Sequence, residues 1–232
     1  MPNAAQADSY KQQLERCAPL FAAENLKNTE EQALTSTHTI TIREYAGRVN
    51  DRNLCGSECI LSQSGQPFAQ WQSVSNSAVF YRVIHHSNGR EYLIFRQDLY
   101  GYSVLDLESG ESLRFYPEAS LGGKGFRETF IWTDVMYNTV TNVLAVDGCY
   151  WACPYSLHLF DFAEPMSESP RYVDMIECFE GGYDVYDDIS FVAWDGGDLS
   201  VTRYVVESRT KEPVTLAPEE YLAWLAEKGQ AL

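Results

Sequence analysis

Apolar and polar residues alternate with a period of two through most of this chain, which is the pattern of half-buried strands. His38 to Tyr45 interleaves Thr with Ile, and Ser77 to Ile84 is β-branched and aromatic. Arg90 to Phe95, Tyr102 to Leu107 and Ser112 to Tyr116 follow as short strands, separated by Gly101 and by Ser109-Gly110. Tight turns between four such strands predict one antiparallel sheet. The order recurs in Thr129 to Val135, Asn142 to Val146, Ser156 to Phe162 and Arg171 to Met175, and again in Ile189 to Trp194, Leu199 to Glu207 and Pro213 to Leu216. His38 to Trp71 reads as a degraded first copy.

Helical spacing is confined to the ends. Tyr10, Leu14, Cys17 and Leu20-Phe21 predict a helix from about 6 to 27, with Asp8 or Ser9 as its N-cap. The polar run Asn28 to Thr37 reads as a linker. Pro218 suits the first turn of a C-terminal helix and Gly229 its stop, with Tyr221, Leu222, Trp224 and Leu225 as the apolar stripe. The organisation expected is residues 1–37 as helix and linker, 38–216 as a repeated β domain and 217–232 as a terminal helix.

Four segments, beginning at Ile60, Val104, Leu159 and Tyr204, look like one strand–turn unit repeated at steps of 44, 55 and 45 residues. Four-stranded antiparallel units at that period resemble the blades of a β-propeller, and the resemblance covers about residues 38 to 216. Leu105-Asp106-Leu107 and Phe160-Asp161-Phe162 stand where the best-known propeller repeat carries Trp-Asp. The fold class expected is all-β, with about four propeller-like units, and a β-sandwich is the alternative.

Charge narrows the partners. In 232 residues, 17 Lys and Arg face 33 Asp and Glu, a formal net charge of -16. Such a surface repels nucleic-acid phosphates and anionic lipid and speeds encounter with a basic protein. Neither direct nucleic-acid binding nor a membrane role is expected. Met1 to Asp8 lacks the basic start and apolar stretch of a secretory signal, and no run reaches transmembrane length, so a cytoplasmic location is expected.

Candidate chemistry is sparse. Cys55 and Cys59, and Cys149 and Cys153, share a three-residue gap, and four thiolates at such spacing suit zinc. The preferred reading is buried free thiols and no cofactor. Asp134 and Asp147 offer a carboxylate pair of the kind glycoside hydrolysis uses. Asp184, Asp187, Asp188, Asp195 and Asp198 form an acidic cluster without the calcium-loop spacing. Gly122-Gly123-Lys124-Gly125 lacks the spacing of a phosphate loop, and His38, His85, His86 and His158 form no metalloprotease motif. The aromatics Tyr150, Trp151 and Tyr155 fall in turns, and aromatics amid acids predict a protein-binding surface. The expectation is a non-enzymatic module that binds a basic protein through Tyr150, Trp151, Tyr155, Asp195 and Asp198. An immunity or inhibitor protein acting on a basic toxin or nucleic-acid enzyme is its concrete form. A hydrolase using Asp134 and Asp147 and a zinc-stabilised structural module are the rivals.

Overall fold

A computed structural model describes residues 4–75, 79–97, 99–115, 129–150, 155–168 and 170–231. Helix α1 (Ala4–Cys17) and two 3-10 turns (Ala18–Phe21 and Ala23–Asn25) lead into sheet 1, made of β1 (Leu26–Ala33), β2 (His38–Val49), β3 (Arg52–Gln63) and β4 (Gln66–Ser73). Sheet 2 comprises β5 (Tyr81–His85), β6 (Glu91–Phe95), β7 (Tyr102–Asp106) and β8 (Ser112–Phe115). Sheet 3 comprises β9 (Ile131–Asn138), β10 (Val143–Cys149), β11 (Tyr155–Asp161) and β12 (Arg171–Asp174). Short helices α2 (Met175–Cys178) and α3 (Gly182–Val185) then lead to sheet 4, with β13 (Tyr186–Asp195), β14 (Asp198–Val205) and β15 (Thr210–Leu216). Helix α4 (Pro218–Lys228) follows, and β16 (Gln230–Ala231) returns to pair with β12. All the strand pairings described are antiparallel.

The sheets stack face to face in chain order. Ile40, Leu61 and Trp71 of sheet 1 meet Leu93, Phe95 and Leu105 of sheet 2. Ile94 and Val104 of sheet 2 meet Trp132, Leu144, Val146 and Phe160 of sheet 3. Ala145, Leu157 and Leu159 of sheet 3 meet Ile189, Leu199 and Val201 of sheet 4, with Tyr221 and Leu225 of α4. Side chains alternate across a strand, so the inner sheets supply both junctions: Leu93 and Ile94, or Leu144 and Ala145, point to opposite neighbours. This is why β6 and β10 read as continuous apolar runs. Among the described residues no apolar cluster joins sheet 1 to sheet 4, so the array of propeller-like units is an open stack rather than a closed ring.

Three expectations change. The supposed linker contains β1, whose residues are all exposed, so it carries no apolar alternation to betray it. Sheet 1 is consequently complete with four strands, whereas sheet 4 has three. The N-terminal helix stops at Cys17, because Pro19 fits a 3-10 turn better than a helix interior. The C-terminal helix starts at Pro218 as expected, and the Glu220 carboxylate accepts the Ala217 N–H at 2.9 Å. Gly229 follows its last turn, where a Cβ would collide with the Leu225 carbonyl oxygen. Residues 122–125 lie outside the described residues. No helix among the described residues is long and apolar enough to cross a membrane.

Two-faced burial sets a testable contrast. Ile94, fully buried between sheets 2 and 3, should cost about 2–5 kcal/mol when changed to Ala. Ile60 lies on the outward face of β3, opposite Cys59 and Leu61, and Ile60→Ala should cost about 1 kcal/mol. Urea denaturation of both variants measures this, and equal costs would contradict an open first sheet.

Candidate functional site

Sheet 3 carries the densest polar and aromatic arrangement, at the end where β10 passes to β11. Asp174, at the end of β12, organises it. Its Oδ1 accepts the hydroxyl of Ser156 at 2.7 Å and the Ile176 N–H at 3.0 Å, which caps α2. Its Oδ2 accepts the Tyr183 hydroxyl at 2.6 Å and lies 3.3 Å from His158 Nε2. The His158 ring stacks on Phe130 at 3.6 Å and on Tyr172 at 5.3 Å. Gly148 lets Phe130 approach, since a Cβ there would sit 2.6 Å from that ring.

Burial acts to raise the Asp174 pKa, but His158 and the hydroxyls of Tyr183 and Ser156 outweigh it and hold the carboxyl below its ordinary range. Tyr150, Tyr172 and Tyr183 are pushed up, first by burial and then by the Asp174 charge, so they remain phenols. Ser156, His158 and Asp174 together do not form a nucleophilic triad. The serine donates to the carboxylate instead of the imidazole, and all three are buried. The cluster therefore positions Tyr183, whose ring is exposed while its hydroxyl is held inside.

Around Tyr183 the chain exposes Glu177, Glu180, Asp184 and Asp187. Tyr155 is exposed at the same end of the sheet, opposite Cys149 in the ladder, and Tyr150 is half-buried against Phe130. Trp151 lies outside the described residues. Asp195 and Asp198 flank the β13–β14 turn, where Gly196 O accepts Asn138 Nδ2–H at 2.8 Å. That places them beside the opposite end of β10, about 20 Å from Tyr155 at the usual rise per strand residue. Asp184 follows Tyr183 in the chain and Asp187 starts β13 beside Tyr186, whereas Asp195 and Asp198 lie at the far end of that strand. Sequence reasoning passed over Asp174, Ser156 and Tyr172, whose only local signal is an Asp preceding the short helix of Met175 to Cys178.

Asp134 and Asp147 face each other on β9 and β10, and each bridges to a neighbouring sheet. Arg82 of β5 grips Asp134 through Nε at 2.7 Å and Nη2 at 3.1 Å. Phe191 N–H of β13 donates to Asp147 Oδ1 at 3.2 Å. Burial, with the charges of Asp134 and Asp188, raises the Asp147 pKa, although the Phe191 bond opposes this. Cys55 and Cys59 sit on β3 and Cys149 on β10, and Cys153 lies outside the described residues. Cys59 packs between sheets 1 and 2, where burial pushes its thiol up to about 12. Among the described residues no group of three or more His, Cys, Asp or Glu stands close enough to hold a metal ion.

No family model matches the chain. Over 90 residues, 39% of its length, it is 31% identical to "Uncharacterized protein R762" of Acanthamoeba polyphaga mimivirus, of which the match covers 34%. The chain thus spans about a third of that relative's length.

The carboxylates behave oppositely on substitution. Asp174→Asn should cost about 3 kcal/mol at pH 7, because it leaves buried partners short of an acceptor. The folded pKa of Asp174 is depressed, so its contribution is complete above the unfolded value of about 4 and fades as pH falls below it. The variant and the parent should therefore converge in acid. The folded pKa of Asp147 is raised, so its charge disfavours the fold at neutral pH, and Asp147→Asn, which keeps an acceptor for Phe191, should raise the melting temperature. Thermal melts from pH 3 to 8 test both signs.

Proposed function

We propose that this chain is a non-enzymatic binding module that captures a basic protein at the acidic, tyrosine-bearing end of sheet 3. In its concrete form it is an immunity or inhibitor protein that neutralises a basic toxin or nucleic-acid enzyme. One observation carries the reading: Tyr183 exposes its ring in a chain segment, residues 177–187, that also exposes four carboxylates, while its hydroxyl is fixed on buried Asp174. An aromatic already immobilised in the free protein loses little entropy on binding, which is the property of a hot-spot anchor. The net charge of -16 supplies long-range attraction to a basic partner. The carboxylate-pair hydrolase is less well supported, since Asp134 is engaged by Arg82 and Asp147 by Phe191 N–H.

The partner is recovered by affinity purification from the native host and its kinetics measured over salt concentration. Association should slow about tenfold or more between low and physiological salt, while dissociation changes little. Tyr155→Ala and Tyr183→Ala should speed dissociation about tenfold or more, whereas Asp184→Asn with Asp187→Asn should mainly slow association. A captured protein whose binding ignores salt and every one of these substitutions would sink the proposal.

A further inference from the structure

At the opposite end of the sheets, each junction meets a turn joining a first strand to a second. At two junctions a side chain from this turn seals the neighbouring sheets. His86 of sheet 2 donates from Nε2 to Phe162 O of sheet 3 at 2.9 Å, its Nδ1 having accepted the Asn88 N–H at 3.1 Å. Asn138 of sheet 3 donates to Gly196 O of sheet 4 at 2.8 Å. In sheet 1 the position of His86 is taken by Leu34: the bonds Leu34 N–H to His38 O and His86 N–H to Arg90 O mark the equivalence. Leu34 has no donor to offer, and between sheets 1 and 2 a cleft of about 470 Å³ opens.

His38 lines that cleft at 3% exposure, and its Nε2 has no hydrogen-bond partner. Its tautomer follows from its neighbours. Thr35 Oγ1 accepts the N–H groups of Thr37 and His38, so its own proton is free to go to His38 Nδ1, 3.0 Å away. The Thr37 hydroxyl stands 3.1 Å from the same nitrogen, which thus has two hydroxyls to accept from. With Nδ1 accepting, Nε2 carries the proton, as in His86. A buried N–H donor without an acceptor is rare in folded proteins and calls for a partner. Across the cleft stands Leu107, the counterpart of Phe162: Leu107 N–H binds Glu91 O as Phe162 N–H binds Asn142 O. Charge gives the rest. Arg90 is held by Asp106 and Glu108, each at 2.9 Å, and Glu91, whose Oε1 lies 2.9 Å from His85 Nδ1, adds a third carboxylate beside this one guanidinium.

We propose that the cleft between sheets 1 and 2 seats an extended, lysine- or arginine-bearing segment of another protein. A main-chain carbonyl of the segment accepts the His38 Nε2–H, as Phe162 O accepts that of His86, and its basic side chain meets Glu91 and Glu108. This site is separate from the tyrosine-bearing end of sheet 3, and each stands or falls without the other. The probes are three blocked tetrapeptides, acetyl-Gly-Lys-Gly-Lys-amide and its Gln and Glu counterparts, titrated while imidazole nitrogens are followed by NMR. The lysine peptide should shift the His38 Nε2 resonance saturably, the Gln peptide should bind several-fold more weakly and the Glu peptide should not bind. His38→Phe should abolish binding, and Glu91→Gln with Glu108→Gln should weaken it about tenfold while leaving the fold and the His38 resonance of the free protein in place. No saturable shift at millimolar peptide, equal response to the Lys and Glu peptides, or an equal shift from glycerol would each overturn the proposal.

Discussion

The requirement that sheets 2 and 3 hide two apolar faces governs the rest of the molecule. A four-stranded sheet with Leu93 on one side and Ile94 on the other, or Ala145 and Leu144, has no stable existence alone, because one face would remain in water whichever way it folded. Stacking resolves this, and it leaves two end sheets that need only one apolar face each. Sheet 1 finishes the stack with an outer face that is part polar and part covered. There Glu58 accepts from Arg43, Tyr45, Gln70 and Gln72 at 2.9 to 3.4 Å, tying β2, β3 and β4 together, and Leu20 and Phe21 pack on Tyr45 and Val49 beside it. Sheet 4 finishes it with α4, whose Tyr221 and Leu225 reach the core it shares with sheet 3.

Apolar contact between sheets is not directional, so something else must fix how one sheet sits on the next. Single polar bonds do this along the first and second strands. The Tyr81 hydroxyl donates to Gln32 at 2.6 Å, Arg82 pairs with Asp134, and Phe191 N–H meets Asp147. Each crosses one junction. The carboxylates that looked catalytic are thus part of the means by which neighbouring sheets hold their alignment, and burying the Asp147 carboxyl, which raises its pKa, accompanies one such bond.

How much of this was legible in the sequence depended on whether a residue's role was local. The strand alternation, the turns and the Pro218-to-Gly229 helix were readable because period and backbone preference are local properties. The first strand was not, because Lys-Asn-Thr-Glu-Glu-Gln buries no side chain and is held by main-chain bonds to β2 and by exposed polar side chains such as Gln32. Tyr155 is exposed, and of the acids of the last unit Asp184, Asp187, Asp195 and Asp198 are exposed while Asp188 is half-buried, a grouping the sequence did not reveal. Only the antiparallel course of β13 decides that Asp187 starts near the tyrosines and Asp195 ends near Asn138. Asp174 was invisible for the same reason: its partners Ser156, His158 and Tyr183 arrive from two other elements.

Asp174 also links core and surface in a way that bears on recognition. Its charge is stabilised inside the protein by hydroxyls and an imidazole, and one of those hydroxyls belongs to the most exposed tyrosine of the acidic segment. The Tyr183 ring therefore cannot swing freely without breaking a short, charge-assisted bond, which is roughly twice as strong as a neutral one. A mobile tyrosine amid carboxylates would contribute area at a large entropic loss, whereas one fixed through its hydroxyl presents a set face around which the carboxylates are arranged. The core of sheet 3 thus determines the geometry of its surface, and a change as deep as His158 or Ser156 acts on recognition by loosening Tyr183.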